Sequence, residues 1–248
     1  MWSALVAALW LATPVECNSV SSCNRVGTAA LQAGRHAEAL EAFHRQIDLA
    51  ETAWKQAGPE DQEPLAHGLQ IALNNAALTV LRSGDCARAR AWLQAADAAH
   101  RATQANLRAL QQRCTAALRI EPLGEFLQYA GHGAWNSVSI RETGDETLRL
   151  DAYWMRIGRG PLSEWGAAAI GDLTGVSLHP DGAQARGRYD GLDPAIPCEL
   201  QVRYLPGGLD IAHTAESECR MGGAGAELQG RYWRVSDPEP LPDAEDAG

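Results

Sequence analysis

Two stretches in the first half of the chain repeat one pattern of small and large apolar positions. Each begins with a glycine, has an alanine five residues later and a large apolar residue four beyond that: Gly34, Ala39 and Phe43, then Gly84, Ala89 and Leu93. An apolar run with helical spacing precedes each glycine. The pattern predicts a helix, a glycine turn and a second helix packed back on the first.

The helical spacing continues over residues 18–121 and predicts five helices. Asp85 is a good N-cap for the fourth, and Gly58-Pro59-Glu60 ends the second. No Gly or Pro interrupts the last stretch, so one long helix is an alternative there. Two helices joined near His100–Gln104 are favoured, because a long exposed Ala-Leu face needs a neighbour. The predicted ranges are Cys23–Gln32, His36–Gln56, Gln62–Leu81 and two helices within Ala87–Ile120.

From residue 122 the pattern changes to alternation of apolar and polar residues, which indicates strands. The turn Pro206-Gly207-Gly208 predicts a hairpin. Seven or eight short strands in about 110 residues predict a small antiparallel β-barrel or sandwich. The fold class is therefore α+β in two modules, helical over 18–121 and antiparallel β over 122–235. The predicted strands are Trp135–Ile140, Thr147–Trp154, Gly171–Leu178, Ala183–Tyr189, Cys198–Tyr204, Leu209–Ile211 and a last strand within Gly222–Arg234.

The helical repeat resembles the tetratricopeptide repeat (TPR), a helix-turn-helix unit of about 34 residues. The two glycines lie 50 residues apart, so one copy would carry an insertion. An ordinary helical bundle with coincident glycine turns is the alternative. The positions that match the family pattern are Val26, Gly27, Ala30, Gly34, Ala39 and Phe43, then Ala77, Val80, Gly84, Ala89, Leu93 and Ala96.

The TPR resemblance implies a groove lined by the first helix of each hairpin. In that family an Asn at the position of Asn75 binds the backbone or carboxylate of a peptide. A polar pair on an exposed helix face is the alternative for Asn74 and Asn75. Two hairpins make a shallow groove, so its affinity alone would be modest. The candidate partner-binding residues are Asn24, Arg25, Thr28, Asn74, Asn75 and Arg82.

Charge is distributed unevenly along the chain. The formal net charge of −10 disfavours nucleic acid as a partner, because phosphate binding needs a basic surface. Residues 122–235 carry fifteen acidic against ten basic residues, so this part would steer a basic protein partner. Residues 236–248 form a Pro-rich acidic tail that is expected to be disordered.

The start of the chain is typical of export. Residues 1–12 are apolar but too short to span a bilayer, and they fit the apolar region of a signal peptide. The predicted signal peptide is 1–17, with cleavage after Cys17; a buried first helix and a lipid anchor at Cys17 are the alternatives. Six cysteines without a C-x-x-C pair indicate disulfides and an oxidising compartment, periplasmic or secreted.

The cysteine positions predict which bonds form. Cys198 and Cys219 bracket the hairpin and are expected to pair. Cys86 begins one helix and Cys114 lies near the end of the next, so their pairing is a further prediction. Cys17 either pairs with Cys23 or leaves with the signal peptide.

The β part resembles small secreted bacterial β-barrels of the lysozyme-inhibitor type. The resemblance rests on the strand from Cys198 to Val202, the cysteine about twenty residues later, and the closing Gly-x-Tyr-x-Arg over 230–234. It implies an envelope protein that restrains a cell-wall enzyme.

Motifs for catalysis are missing from the sequence. No nucleophile elbow, zinc-protease or phosphate-loop motif occurs, and the histidines lack ligand spacing, so no cofactor or metal is predicted. The expected function is a non-enzymatic protein-binding adaptor, with an inhibitor or immunity-type partner of a cell-wall enzyme as one form. A barrel that holds a small apolar ligand is one alternative. The other is a carboxylate-based wall or glycan hydrolase using residues among Glu125, Asp151, Glu164, Asp172, Asp190 and Glu199.

Overall fold

The structure is a computed structural model that describes residues 16–58, 60–115, 118–143, 146–157, 168–190, 195, 197–213, 219 and 227–238. Most of the predicted signal peptide, Glu164 and nearly all of the acidic tail lie outside these residues. The described residues form an N-terminal group of helices and a C-terminal antiparallel β-barrel, as the α+β prediction requires.

The helices have bounds close to those predicted from the sequence. Helix α1 begins in a capping box, where Ser19 Oγ accepts from the backbone N–H of Ser22 at 3.2 Å and Ser22 Oγ accepts from that of Ser19 at 3.0 Å. Asp85 caps α4 as expected, accepting from the backbone N–H of Arg88 at 2.9 Å. The last predicted stretch contains two helices, the favoured alternative, and the first ends at Ala95, earlier than predicted. The helices are α1 Val20–Gln32, α2 His36–Gln56, α3 Gln62–Ser83, α4 Cys86–Ala95 and α5 Arg101–Arg113.

The helices lie in two layers. Each packs on the next along the chain, while α3 also contacts α1 and α5. Helices α1, α3 and α5 therefore form one layer, and α2 and α4 form the other. The core between them is built from small and branched residues around Phe43, Ile47, Leu73, Trp92 and Leu93.

Gly27 and Phe43, two of the positions that match the TPR pattern, meet in the first hairpin. Gly27 of α1 faces the ring of Phe43 of α2, and a Cβ at residue 27 would lie 2.6 Å from that ring. A side chain there would displace Phe43, which is fully buried. The small residue at 27 thus allows α1 and α2 to approach.

Eight described strands form a closed barrel in which each strand pairs with the next and β1 pairs with β8. Strand β1 was not predicted, because its apolar residues Phe126, Leu127 and Tyr129 do not alternate. The last strand begins at Gly230, inside the predicted range Gly222–Arg234, and residues 222–226 lie outside the described part. The strands are β1 Gly124–Gly131, β2 Ala134–Glu142, β3 Leu148–Ile157, β4 Ala168–Asp181, β5 Gln184–Asp190, β6 Pro197–Leu205, β7 Gly208–His213 and β8 Gly230–Ser236.

Side chains fill the barrel interior. Trp154, Phe126 and Tyr232 are among the largest, and each is at most 1% exposed. Aliphatic residues from six strands, β2 to β7, pack around them. The predicted hairpin of β6 and β7 is present, with Leu205 paired to Gly208. Its turn is Pro206-Gly207, one residue shorter than predicted, because Gly208 already belongs to β7. A packed interior argues against the hypothesis of a small apolar ligand inside the barrel.

Three disulfides join elements of the described chain. Cys86–Cys114 links the start of α4 to the residue after α5, and Cys198–Cys219 links β6 to the segment after β7, as expected. Cys17 pairs with Cys23, which is the first of the two alternatives for that cysteine. Each bond fixes an end of a secondary-structure element.

Candidate functional site

The candidate partner-binding residues lie on α1 and α3, which are neighbours in one layer. Asn75 Nδ2 donates to Asn24 Oδ1 at 2.8 Å, which joins the two helices through side chains that are only partly buried. Thr28 is also partly buried, one turn further along α1. Arg25 and Arg82 are exposed. Five of the six candidates therefore have some surface on the layer of α1 and α3, which we call the α1/α3 face.

Asn74, predicted as a partner-binding residue, is instead buried and holds α3 against α5. Its Nδ2 donates to Thr103 Oγ1 at 2.8 Å, and its Oδ1 accepts from Asn106 Nδ2 at 3.0 Å. Asn74 is 2% exposed. Successive residues of a helix point about a quarter of a turn apart, so Asn74 and Asn75 contact different helices.

The barrel packs on the other helical layer through α4 and through side chains of α2. Strands β8 and β1 contact α4, and the turn between β1 and β2 contacts α2. The turn residues Gly131, His132 and Gly133 all have positive φ. A left-handed His costs about 1–3 kcal/mol and persists only where the surroundings fix it. Here the backbone N–H of His132 donates to Glu51 Oε2 at 2.8 Å.

The His132 side chain is fully buried between two charged residues of α2. Its Nε2 lies 3.1 Å from Lys55 Nζ, and its Nδ1 lies 2.8 Å from Asp48 Oδ1. A lysine ammonium can only donate, so Nε2 accepts and Nδ1 donates to Asp48. Arg45 also pairs with Asp48, at 3.1 Å. This arrangement fixes one ring orientation.

Glu51 connects the same turn to Tyr129 of β1. Its Oε1 accepts from the Tyr129 hydroxyl at 2.6 Å, and that hydroxyl accepts from the backbone N–H of Gly133 at 3.2 Å. Burial, together with the Glu51 carboxylate, raises the pKa of Tyr129, so the hydroxyl keeps its proton and donates. The Glu51 side chain is 7% exposed.

Aromatic rings complete the contact between the modules. Trp92 of α4 packs edge-on against Trp135 of β2, with centroids 4.7 Å apart, and against Tyr129 at 5.9 Å. His44 of α2 lies 5.2 Å from Trp92 on the same side. Burial lowers the pKa of His44. The buried Asp, His and Tyr groups therefore hold the two modules together and are closed to a substrate.

Two of the carboxylates proposed for hydrolysis meet on the barrel surface. Glu125 of β1 and Asp151 of β3 both contact Arg141 of β2, at 3.2 and 3.1 Å. Ser139 also donates to Glu125 at 2.7 Å, and Arg149 donates to Asp151 at 3.1 Å. A general acid needs an apolar setting that favours its neutral form. Ion pairing with arginine gives the opposite setting.

The other proposed carboxylates are separate from this pair. Asp172, Asp190 and Glu199 are exposed, and Glu199 lies 4.0 Å from Arg188 across the sheet. Within the described ranges, no group of three or more His, Cys, Asp or Glu side chains could hold a metal ion. Among the described helices, none combines the length and the apolar character needed to cross a membrane.

Comparison with known proteins gives no relative from which a function could be transferred. No family model, curated protein or solved structure matches the chain.

Proposed function

We propose that the chain is an exported, non-enzymatic binding protein of the bacterial envelope, which acts as an adaptor through its α1/α3 face. The observation that carries this proposal is the position of the barrel. The barrel packs on α4 and is hydrogen-bonded to side chains of α2, on the layer that does not contain the α1/α3 face. The face is thus left available beside a rigidly attached second module.

The chemistry of the α1/α3 face suits an extended peptide segment. Asn24 and Asn75 present amide groups that can donate to and accept from a peptide backbone. The exposed Arg25 and Arg82 supply charge for a carboxylate. We assign the two helical hairpins a TPR-like role, and the acidic barrel would favour a partner that is basic overall. A cell-wall enzyme restrained by this protein is one such partner.

Export is supported by the cysteines. All six are paired in the described chain, and such pairing is typical of an oxidising compartment. The bond between Cys17 and Cys23 requires both residues in the folded protein. A signal peptidase would then cleave before Cys17, and lipidation of that cysteine is disfavoured because its sulfur is used. Mass spectrometry of the secreted protein would identify the first residue.

The test of the adaptor proposal compares charge reversal on and off the face. The double variant Arg25→Glu/Arg82→Glu changes two exposed residues of the α1/α3 face, and Arg186→Glu makes the same kind of change on the barrel. We expect the parent and the Arg186→Glu protein to retain one saturable partner from an envelope extract at physiological salt. The double variant should lose it. The partner is then identified, and its affinity for each purified protein is measured.

A partner held equally by all three proteins, or no saturable partner at all, would overturn the adaptor proposal. The hydrolase alternative depends on Glu125 and Asp151, which lie close together but are both paired with Arg141. Zymography against peptidoglycan with the parent and an Asp151→Ala variant separates the two functions. We expect no cleared band from either protein, whereas clearing by the parent alone would support the enzyme.

A further inference from the structure

A cleft lies where the two modules meet, away from the residues of the α1/α3 face. It has a volume of about 620 Å³ and is lined by the start of α4, the end of α5, the connection to the barrel, the turn between β6 and β7, and β8. Binding sites for small molecules measure about 300–1,000 Å³. The cleft has the size of a site for a small organic molecule.

The charge of the cleft is opposite to that of the chain. Four arginines line it, Arg90, Arg113, Arg119 and Arg234, and the lining contains one carboxylate, Glu121. The whole chain carries a formal charge of −10. A basic cleft on an acidic protein is selective, because the surrounding field repels anions that have no specific contacts.

One of the four arginines is already neutralised. Arg234 contacts Glu121 at 3.2 Å and Asp237 at 2.6 Å, and its Nε donates to the carbonyl of Leu123 at 2.9 Å. Arg234 therefore stabilises the connection between the modules and forms an ion pair with Glu121, the one carboxylate among the described residues that line the cleft. The charge that is left comes from the other three arginines.

The guanidinium groups of Arg90, Arg113 and Arg119 have no hydrogen-bonding or ionic partner among the described residues. Burial lowers the pKa of Arg90, which reflects the cost of holding its charge there. Even so, a guanidinium remains charged at any physiological pH. Three positive groups around one cleft repel each other, and an anion between them would remove that repulsion.

The helix ends do not account for the charge of the cleft. The N-terminus of α4 and the C-terminus of α5 both open on it, joined by the disulfide between Cys86 and Cys114. Their dipoles have opposite signs at this point and largely offset each other. The arginines set the sign, and the disulfide fixes the distance between the helices that present Arg90 and Arg113.

We propose that this cleft binds a small organic anion that carries two or more carboxylate or phosphate groups. Planar guanidinium groups match both kinds of oxyanion, with two parallel hydrogen bonds to each. Leu118 and Ala87 offer apolar contact for the carbon skeleton between the charged groups. This site is independent of the proposed adaptor function, since it shares no residue with the α1/α3 face.

The experiment uses isothermal titration calorimetry on the full chain with two probes, citrate and tripolyphosphate, at physiological salt. The variants are Arg90→Gln, Arg113→Gln and Arg119→Gln, with Arg186→Gln on the barrel as the matched control. We expect saturable binding of at least one probe, with each cleft variant weaker by about tenfold or more and the control unchanged. The stronger probe shows whether carboxylate or phosphate is preferred.

Amide NMR spectra of the parent protein locate the bound probe, so this measurement does not depend on whether the variants fold. The amides of Ala87 and Gly207, which line the cleft, should shift on titration, while that of Asn75 should not. Binding that is equal in all variants, shifts spread over the whole barrel, or no binding by about 10 mM of either probe would overturn the proposal. A failure here leaves the adaptor proposal intact, because Arg25→Glu/Arg82→Glu changes none of these residues.

Discussion

Removing the Glu51 carboxylate should weaken the attachment of the barrel to the helices. Glu51 is buried and accepts two short hydrogen bonds from the barrel, one from Tyr129 at 2.6 Å and one from the backbone of His132 at 2.8 Å. Hydrogen bonds to a charged group contribute about 1.5–3 kcal/mol each. In Glu51→Ala the two donors stay buried without an acceptor.

The expected loss for Glu51→Ala is about 3 kcal/mol in the free energy of unfolding. The sum of two bonds would reach about 3–6 kcal/mol, but the variant no longer holds a desolvated carboxylate, so we take the lower end. Native proteins have free energies of unfolding of about 5–15 kcal/mol, so this loss is a large share of the total. Glu51→Gln keeps the volume and one acceptor oxygen and should lie between parent and Glu51→Ala.

Urea unfolding followed by circular dichroism and by tryptophan fluorescence measures this loss. Trp92 and Trp135 lie in the contact between the modules, so the fluorescence change includes a contribution from docking beside those of the other tryptophans, while circular dichroism reports on the helices. Glu41→Ala, an exposed change on the same helix, is the control and should stay within about 0.5 kcal/mol of the parent. A Glu51→Ala protein that also stays within that range would refute the assigned role of the network.

Three further changes test the packing, the buried histidine and the helix cap. Gly27→Ala should destabilise the protein by about 1–3 kcal/mol because the added Cβ meets Phe43. Gly68→Ala on α3 should stabilise it by about 0.5–1 kcal/mol, because a Cβ there has no atom within 4 Å. Equal shifts of the melting temperature in the two variants would contradict this. Burial lowers the pKa of His44 below its usual 6.5, so the unfolded chain takes up a proton in acid and the free energy of unfolding falls as the pH drops through that value. In His44→Phe this fall should be smaller between about pH 7.5 and 5.5. Parallel curves of stability against pH for the parent and the variant would disprove it. Asp85→Ala removes the cap of α4 and should cost about 0.5–2 kcal/mol in urea unfolding, with no loss arguing against the cap.

The helices could be predicted because their signals are local. Gly34 and Gly84 end helices with positive φ, and Asp85 starts the next one. Strand β1 could not be predicted in this way, because Phe126 and Leu127 are adjacent apolar residues and only Phe126 is in the barrel core. Strand alternation fails where one strand contacts both a barrel interior and a helical layer.

The module contact and the cleft could not be predicted from the sequence. His132 and Glu51 lie 81 residues apart, and neither stands in a motif. The arginines of the cleft come from α4, α5, the connection and β8, and each one alone is typical of a solvated surface. Asn74 was predicted on the wrong side because neighbouring positions on a helix face different elements. Such sites depend on how distant segments pack.

The pairing of β1 with β8 has a consequence for the order of folding. Closure joins Glu125 to Ser236, a long-range contact that is slow to form because a long loop must first be ordered. The helices rest on local contacts, and the turn between β1 and β2 that docks on them comes early in the barrel. We therefore expect the helical module to act as a folding template that holds the first hairpin in place while later strands add to it.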